Sequence, residues 1–293
     1  MRRLDRLWTV FVSALCPALL AGCGSEPLPV TTIPQDLAPA WKPDGQWLAL
    51  QHEGIHSPSG VYLVAPGTAE RHLLIAGATS PDWSPDGAQL AVSVGGRVFR
   101  LTVGSGQPTP ISPADAFSGF PAWSPDGRSI AFSSNGGDSH VPPDLWLVST
   151  DPGSTPRRVP LGGPPRSEMT EKDWSPTGDR LVVSEAGSPP RLFITDTSGR
   201  DTAYITPTST NARMPSWHPG GEWIAYVRLD QEYGDLWLIR PDGSDDHLLV
   251  ARAVYPAWSP DGQRIAFSRP SDSAVAVWSI NADGSDPQQL TFP

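Results

Sequence analysis

His52-Glu53-Gly54-Ile55-His56 has the spelling of the H-E-x-x-H zinc motif. That motif works when a helix stacks both imidazoles on one face and leaves the glutamate poised as a base. Here the five residues follow the strand-like Leu48-Ala49-Leu50, include Gly54 and run into Ser57-Pro58-Ser59-Gly60. A strand that breaks into such a loop does not stack His52 over His56, so no metal is assigned. Asp242-Gly243-Ser244-Asp245 and Asp283-Gly284-Ser285-Asp286 suggest calcium at first sight. Neither alternates acidic ligands through a loop closed by a distal glutamate, and Asp-Gly between strand patterns is a hairpin turn. Asp44, Asp86, Asp126 and Asp261 also recur in turns, where an aspartate can satisfy nearby backbone N–H groups. Thr177 and Gly220 stand in the equivalent places, so the recurring aspartates read as structural. There is no G-x-S-x-G elbow and no phosphate-binding glycine loop. No catalytic residue and no cofactor is assigned.

The elements that carry these residues are repeats. Pro121-Ala122-Trp123-Ser124-Pro125-Asp126-Gly127-Arg128-Ser129-Ile130-Ala131-Phe132 reads as a strand, a tight turn and a second strand. Proline sets φ at the second turn position, and glycine allows the left-handed residue that starts the return strand. The tryptophan recurs as Trp41, Trp83, Trp123, Trp174, Trp217 and Trp258, at intervals of 42, 40, 51, 43 and 41 residues. A period near 40 with four short strands per unit is the pattern of propeller blades, since one blade cannot bury its own faces. The spacing predicts an all-β, six-bladed propeller of four-stranded antiparallel blades over residues 38–293. The last repeat, holding its own fourth strand, is expected to pack beside the first. The 34 prolines would break most helices.

Trp-Ser-Pro-Asp-Gly followed by Ile-Ala-Phe resembles the WD-like repeat of TolB-type β-propellers, the periplasmic component of the Tol–Pal envelope system. The resemblance spans about residues 38–293. It implies the propeller fold and an envelope role for a chain without the N-terminal α/β domain of TolB. It leaves open whether the chain binds partners without catalysis, acts as a lactonase-like or sugar-lyase-like enzyme from an axial funnel, or is purely structural.

Arg2, Arg3 and Arg6 precede an apolar run from Leu7 to Leu20, and Leu20-Ala21-Gly22-Cys23 closes it. A basic start, a short apolar stretch and small residues at the break describe a secretory leader over residues 1–22. The ending resembles a bacterial lipobox, which implies a lipid on Cys23. Residues 23–37 read as a proline-bearing tether from the membrane. Loss of the leader would remove three arginines and Asp5, moving the formal charge from −10 to −12. Cys23 would then be the sole cysteine, which excludes disulfides and thiolate chemistry from the folded domain. An acidic chain without clustered Lys and Arg is not built for nucleic acid.

Propeller topology places the Pro-Asp-Gly turns on one face and the loops between second and third strands on the other. The latter differ in length across residues 52–60, 94–96, 134–143 and 229–234, and variable loops on a rigid scaffold are where binding is built. His56, Asp138, His140, Glu232 and Tyr233 are therefore the expected contacts for protein partners in the cell envelope. Replacing the lipid-bearing sulfur, Cys23→Ser, should leave the fold intact and move the protein from the membrane fraction to the soluble one. Detergent-free solubility of the unmutated mature protein would contradict the anchor.

Overall fold

The computed structural model describes residues 33–104, 107–161, 169–185, 187, 189–229, 233–271 and 273–293. The expected leader, Cys23, most of the tether, part of the long third interval and Glu232 lie outside them. Among the described residues no helix is long and apolar enough to cross a membrane.

The chain forms strands in sequential fours. The first repeat holds β1 (Gln35–Trp41), β2 (Leu48–Glu53), β3 (Gly60–Val64) and β4 (Arg71–Ala76). The second holds β5 (Ala78–Trp83), β6 (Gln89–Val94), β7 (Arg97–Thr102) and β8 (Thr109–Pro110). The third holds β9 (Ser118–Trp123), β10 (Ser129–Ser134), β11 (Asp144–Ser149) and β12 (Arg157–Arg158). The fourth holds β13 (Met169–Trp174), β14 (Arg180–Glu185), β15 (Arg191–Asp196) and β16 (Thr202–Tyr204). The fifth holds β17 (Ala212–Trp217), β18 (Ile224–Arg228), β19 (Asp235–Ile239) and β20 (His247–Val250). The last holds β21 (Val254–Trp258), β22 (Arg264–Pro270), β23 (Val275–Asn281) and β24 (Gln288–Gln289).

The pairing corrects the expectation of six like blades. Four sheets are four-stranded antiparallel blades, but the first and last repeats share one eight-stranded sheet. Gln35 of β1 pairs parallel with Val275 of β23, and the Val275 N–H donates to the Pro34 carbonyl at 3.0 Å. The physical cause is the free edge of β23, whose short partner β24 pairs only at Trp278 and Ser279. Unpaired backbone groups at that edge take up the start of β1. The first strand thus begins at Gln35, inside the stretch expected to be tether.

Hydrophobic cores lie between repeats rather than within them. Trp123 packs with Ala91 and Val98 of the repeat before it, and Trp174 with Ala131, Leu145 and Leu147. Trp217, Trp258, Trp83 and Trp41 repeat the arrangement, the last closing the ring against Ala266, Val277 and Leu290. The turns stack as well. A side chain at Gly127 would meet Pro85 at 3.2 Å, and one at Gly178 would meet Pro125 at 3.3 Å. Gly127 is thus required twice, for its φ of 71° and for its neighbour's ring.

Asp126 accepts from Ser124 Oγ at 2.6 Å and from the Arg128 N–H at 3.0 Å. The Ser124 hydroxyl, more than the backbone donor, holds its carboxyl below the usual range. In the fourth repeat Asp179 takes over, accepting from Ser175 and Thr177, and in the fifth His218 Nδ1 accepts from the Gly220 N–H. Trp123→Ala should therefore cost about 3–5 kcal/mol, the usual result of emptying a large core site, and Asp126→Ala about 1 kcal/mol. Denaturant midpoints measure the contrast, and equal shifts for the two variants would contradict it.

Candidate functional site

The innermost strand of every repeat approaches the axis with a bulge. Leu37 and Ala40 in β1 span one residue more than their partners in β2, and β5, β9, β17 and β21 do the same before their tryptophans. Proline stands in each of these bulges, as Pro39, Pro81, Pro121, Pro215 and Pro256, where its missing N–H costs no ladder bond. Ala38, Ser80, Phe120, Met214 and Tyr255 precede them with φ between 47° and 54°. That left-handed conformation is uncommon for such residues, and all five line an axial cavity of about 290 Å³.

The fourth repeat departs from the pattern. Lys172 replaces the proline and pairs with Val183, and the bulge falls earlier, after Met169. The lysine's ammonium donates to the Phe120 carbonyl at 2.9 Å, to Ser133 Oγ at 2.8 Å and to the Thr170 carbonyl. Burial pushes its pKa down to about 7, against the opposing charge of Glu171. Glu171 Oε2 accepts from Thr170, while its buried Oε1 has no hydrogen-bond partner among the described residues.

The residue before each tryptophan links neighbours around the axis. Asp82 accepts from the Trp123 N–H at 2.6 Å, Asp173 from the Trp217 N–H at 2.7 Å, and Ser216 from the Trp258 N–H at 3.3 Å. At two of the three alanine positions the next indole bonds backward instead, Trp83 Nε1 to the Ala40 carbonyl and Trp174 Nε1 to that of Ala122, while Trp41 Nε1, next around the ring from Ala257, has no partner among the described residues. Desolvation pushes Asp82 up to about 7 and Asp173 up to about 6, with the charge of Asp173 adding to the shift at Asp82. Desolvation outweighs the hydrogen bonds that would lower both.

The cavity runs from the bulges to the Pro-Asp-Gly side, where Pro219 and Pro260 line it. The expected loop contacts sit elsewhere. His56 is exposed. Asp138 and His140 are exposed neighbours, with Oδ1 3.2 Å from Nδ1. Tyr233 lies under the Arg252 guanidinium at 4.5 Å. Glu232 is outside the described residues. The structure pairs Asp138 with His140, and His56, Asp138, His140 and Tyr233 are not among the residues that line the cavity. Of the H-E-x-x-H spelling, His52 is buried on β2 and His56 lies in the loop beyond it.

Sequence reasoning missed Asp82, Glu171, Lys172 and Asp173. Aligning the repeats on tryptophan would have shown them, because Lys172 alone interrupts a column of prolines.

A family profile described as the TolB beta propeller domain matches residues 30–254. A candidate TolB from Agrobacterium tumefaciens is 22% identical, with a TM-score of 0.64, over 76% of this chain and 84% of that one. TolB from Acinetobacter baumannii is 15% identical, with a TM-score of 0.68, over 88% of this chain and 63% of that one. An oligogalacturonate lyase in complex with manganese is 13% identical, with a TM-score of 0.60, over 85% of this chain and 75% of that one. At these identities the likenesses establish fold alone. No curated protein matches the sequence.

Asp82 has a folded-state pKa above its unfolded one, so between about pH 4 and pH 7 the native state holds a proton that the unfolded chain has lost. Stability must fall as pH rises through that window and level off above it. Asp82→Asn keeps an oxygen for the Trp123 N–H but cannot ionise. It should match the parent near pH 4 and exceed it by on the order of 1–3 kcal/mol at pH 7. Parallel unfolding curves across the window would contradict the shift.

Proposed function

Because the chain belongs to the TolB β-propeller family, we propose that it is a lipid-anchored cell-envelope binding module, facing the periplasm or the cell exterior. It recognises protein partners through its loop face. The observation that carries this reading is the placement of exposed apolar side chains. Ile55 is 53% exposed, Phe117 51% and Val141 40%, and all three stand on loops of that face. Asp138 and His140 lie just before Val141 in the same exposed loop, so apolar and polar side chains are offered together, a mix suited to an interface. Phe117 is held ready, its N–H donating to Asn135 Oδ1 at 2.9 Å and its ring resting near Gly96. The axial polar groups support recognition over chemistry, since Lys172, Asp82 and Asp173 are bonded to the scaffold itself.

The second reading, a hydrolase or lyase working from the axial cavity, is favoured by the partnerless Glu171 Oε1. One experiment separates the two. Partners are captured by in-cell crosslinking to the parent, to Asp138→Lys with Glu232→Lys, and to Glu171→Gln. The double reversal should reduce capture about tenfold, or ~1.4 kcal/mol, with an unchanged melting temperature, and Glu171→Gln should not reduce it. Capture that survives the reversal but fails in Glu171→Gln would move the site to the axis.

A further inference from the structure

The loop between β2 and β3 meets β1 and β2 in a constellation unlike any turn motif described above. Ser57 Oγ lies 2.8 Å from His52 Nε2, and His52 Nδ1 lies 2.7 Å from Asp36 Oδ1. A hydroxyl, the two nitrogens of one imidazole and a carboxylate thus stand in sequence at hydrogen-bond distances. From this alignment we infer that Ser57 is a nucleophile, activated by His52 and oriented through Asp36, able to take an acyl group from a small carboxylic ester.

The tautomer follows from the contacts. Asp36 is fully buried, and Arg71 supplies its counter-charge, with Nη2 3.4 Å from Oδ2. A carboxylate oxygen and a bare ring nitrogen would repel at 2.7 Å, so Nδ1 carries the proton. Nε2 of the neutral ring is then the acceptor for the serine hydroxyl, the arrangement a general base requires. Arg71 Nη1, which can only donate, also lies near Nδ1, but at 3.2 Å against 2.7 Å for Asp36, so the closer carboxylate decides the tautomer.

Three further features hold the geometry. The Tyr62 ring meets the imidazole edge-on at 5.1 Å. Its hydroxyl donates to the Pro58 carbonyl at 2.8 Å, pinning the residue after the nucleophile. At Gly54 a β-carbon would lie 2.1 Å from Ser57 Oγ and 2.8 Å from His52 Nε2, so only glycine lets the loop fold the serine onto the histidine. Asp36, His52 and Tyr62 are buried, while Ser57 is exposed beside Ile55, an apolar side chain against which an acyl group can lie.

The step balances without any group beyond the ester and water. As Oγ bonds to the carbonyl carbon, the serine proton passes to Nε2. The tetrahedral centre collapses, breaking the bond to the alcohol oxygen, and the alcohol leaves with that proton. Water, deprotonated by the same nitrogen, then cleaves the acyl-serine and releases the carboxylic acid.

The test is covalent. The mature chain is incubated with an alkyl fluorophosphonate, which loses fluoride to a nucleophilic serine, and the adduct is mapped by mass spectrometry. One adduct per chain on Ser57 is expected, absent after heat unfolding and absent in Ser57→Ala, whose melting temperature should match the parent. His52→Gln and Gly54→Ala should each slow labelling at least tenfold. No adduct on Ser57 of the folded parent overturns the inference, as does undiminished labelling in a folded His52→Gln. Either failure leaves partner capture at Asp138 unaffected, so this inference and the binding reading fail separately.

Discussion

One tryptophan per repeat, buried against the sheet before it, is the contact on which the ring depends. A four-stranded sheet has two faces and can cover neither alone, so each must be capped by a neighbour. Trp83, Trp123, Trp174, Trp217 and Trp258 are 5–8% exposed, and each belongs to a core shared with the preceding repeat. The last repeat has no successor in sequence, and the pairing of Gln35 with Val275 provides one in space. Closure therefore fuses two repeats into one sheet, whereas the other four form separate sheets, tied to their neighbours by side-chain packing and by isolated backbone bonds such as Ser118 N–H to the Gly96 carbonyl.

Convergence on the axis creates a second constraint. Inner strands crowd there, and backbone donors turned inward lose water. Proline answers this in five repeats by having no donor to satisfy. The fourth repeat places Lys172 and Asp173 at the same level and the second places Asp82 there, and desolvation moves the proton affinities of all three toward neutrality. Their hydrogen bonds run to backbone groups of adjoining repeats, so these residues tie the ring together at its centre. Glu171 Oε1 is the exception.

The two ends of the ring differ for a packing reason. On the turn side, successive glycines and prolines touch, which leaves little freedom to vary. On the loop side the loops differ in length, and the apolar Ile55, Phe117 and Val141 stand exposed there alongside Ser57. The proposed binding surface and the proposed acyl-accepting serine both lie at this end of the molecule.

The sequence by itself determined the repeat, the strands, the turns and the buried tryptophans, because each rests on local periodicity or on residues fewer than six apart. It also showed, through Thr177 and Gly220, that two repeats build the turn without an aspartate at that position, though only the structure revealed that Asp179 and His218 replace its acceptor. Only the tertiary structure decided how the ring closes, since a parallel contact between Gln35 and Val275 joins residues 240 apart and leaves no periodic trace. The axial charges were half legible: Lys172 breaks a visible column of prolines, but its desolvation depends on six strands meeting. His52 shows the limit most plainly. Its spelling with His56 suggested a metal, whereas folding turned it toward Asp36 on one side and Ser57 on the other. Strand pairing fixes the first neighbour and a loop reversal at Gly54 the second, and neither is a spacing that a linear motif records.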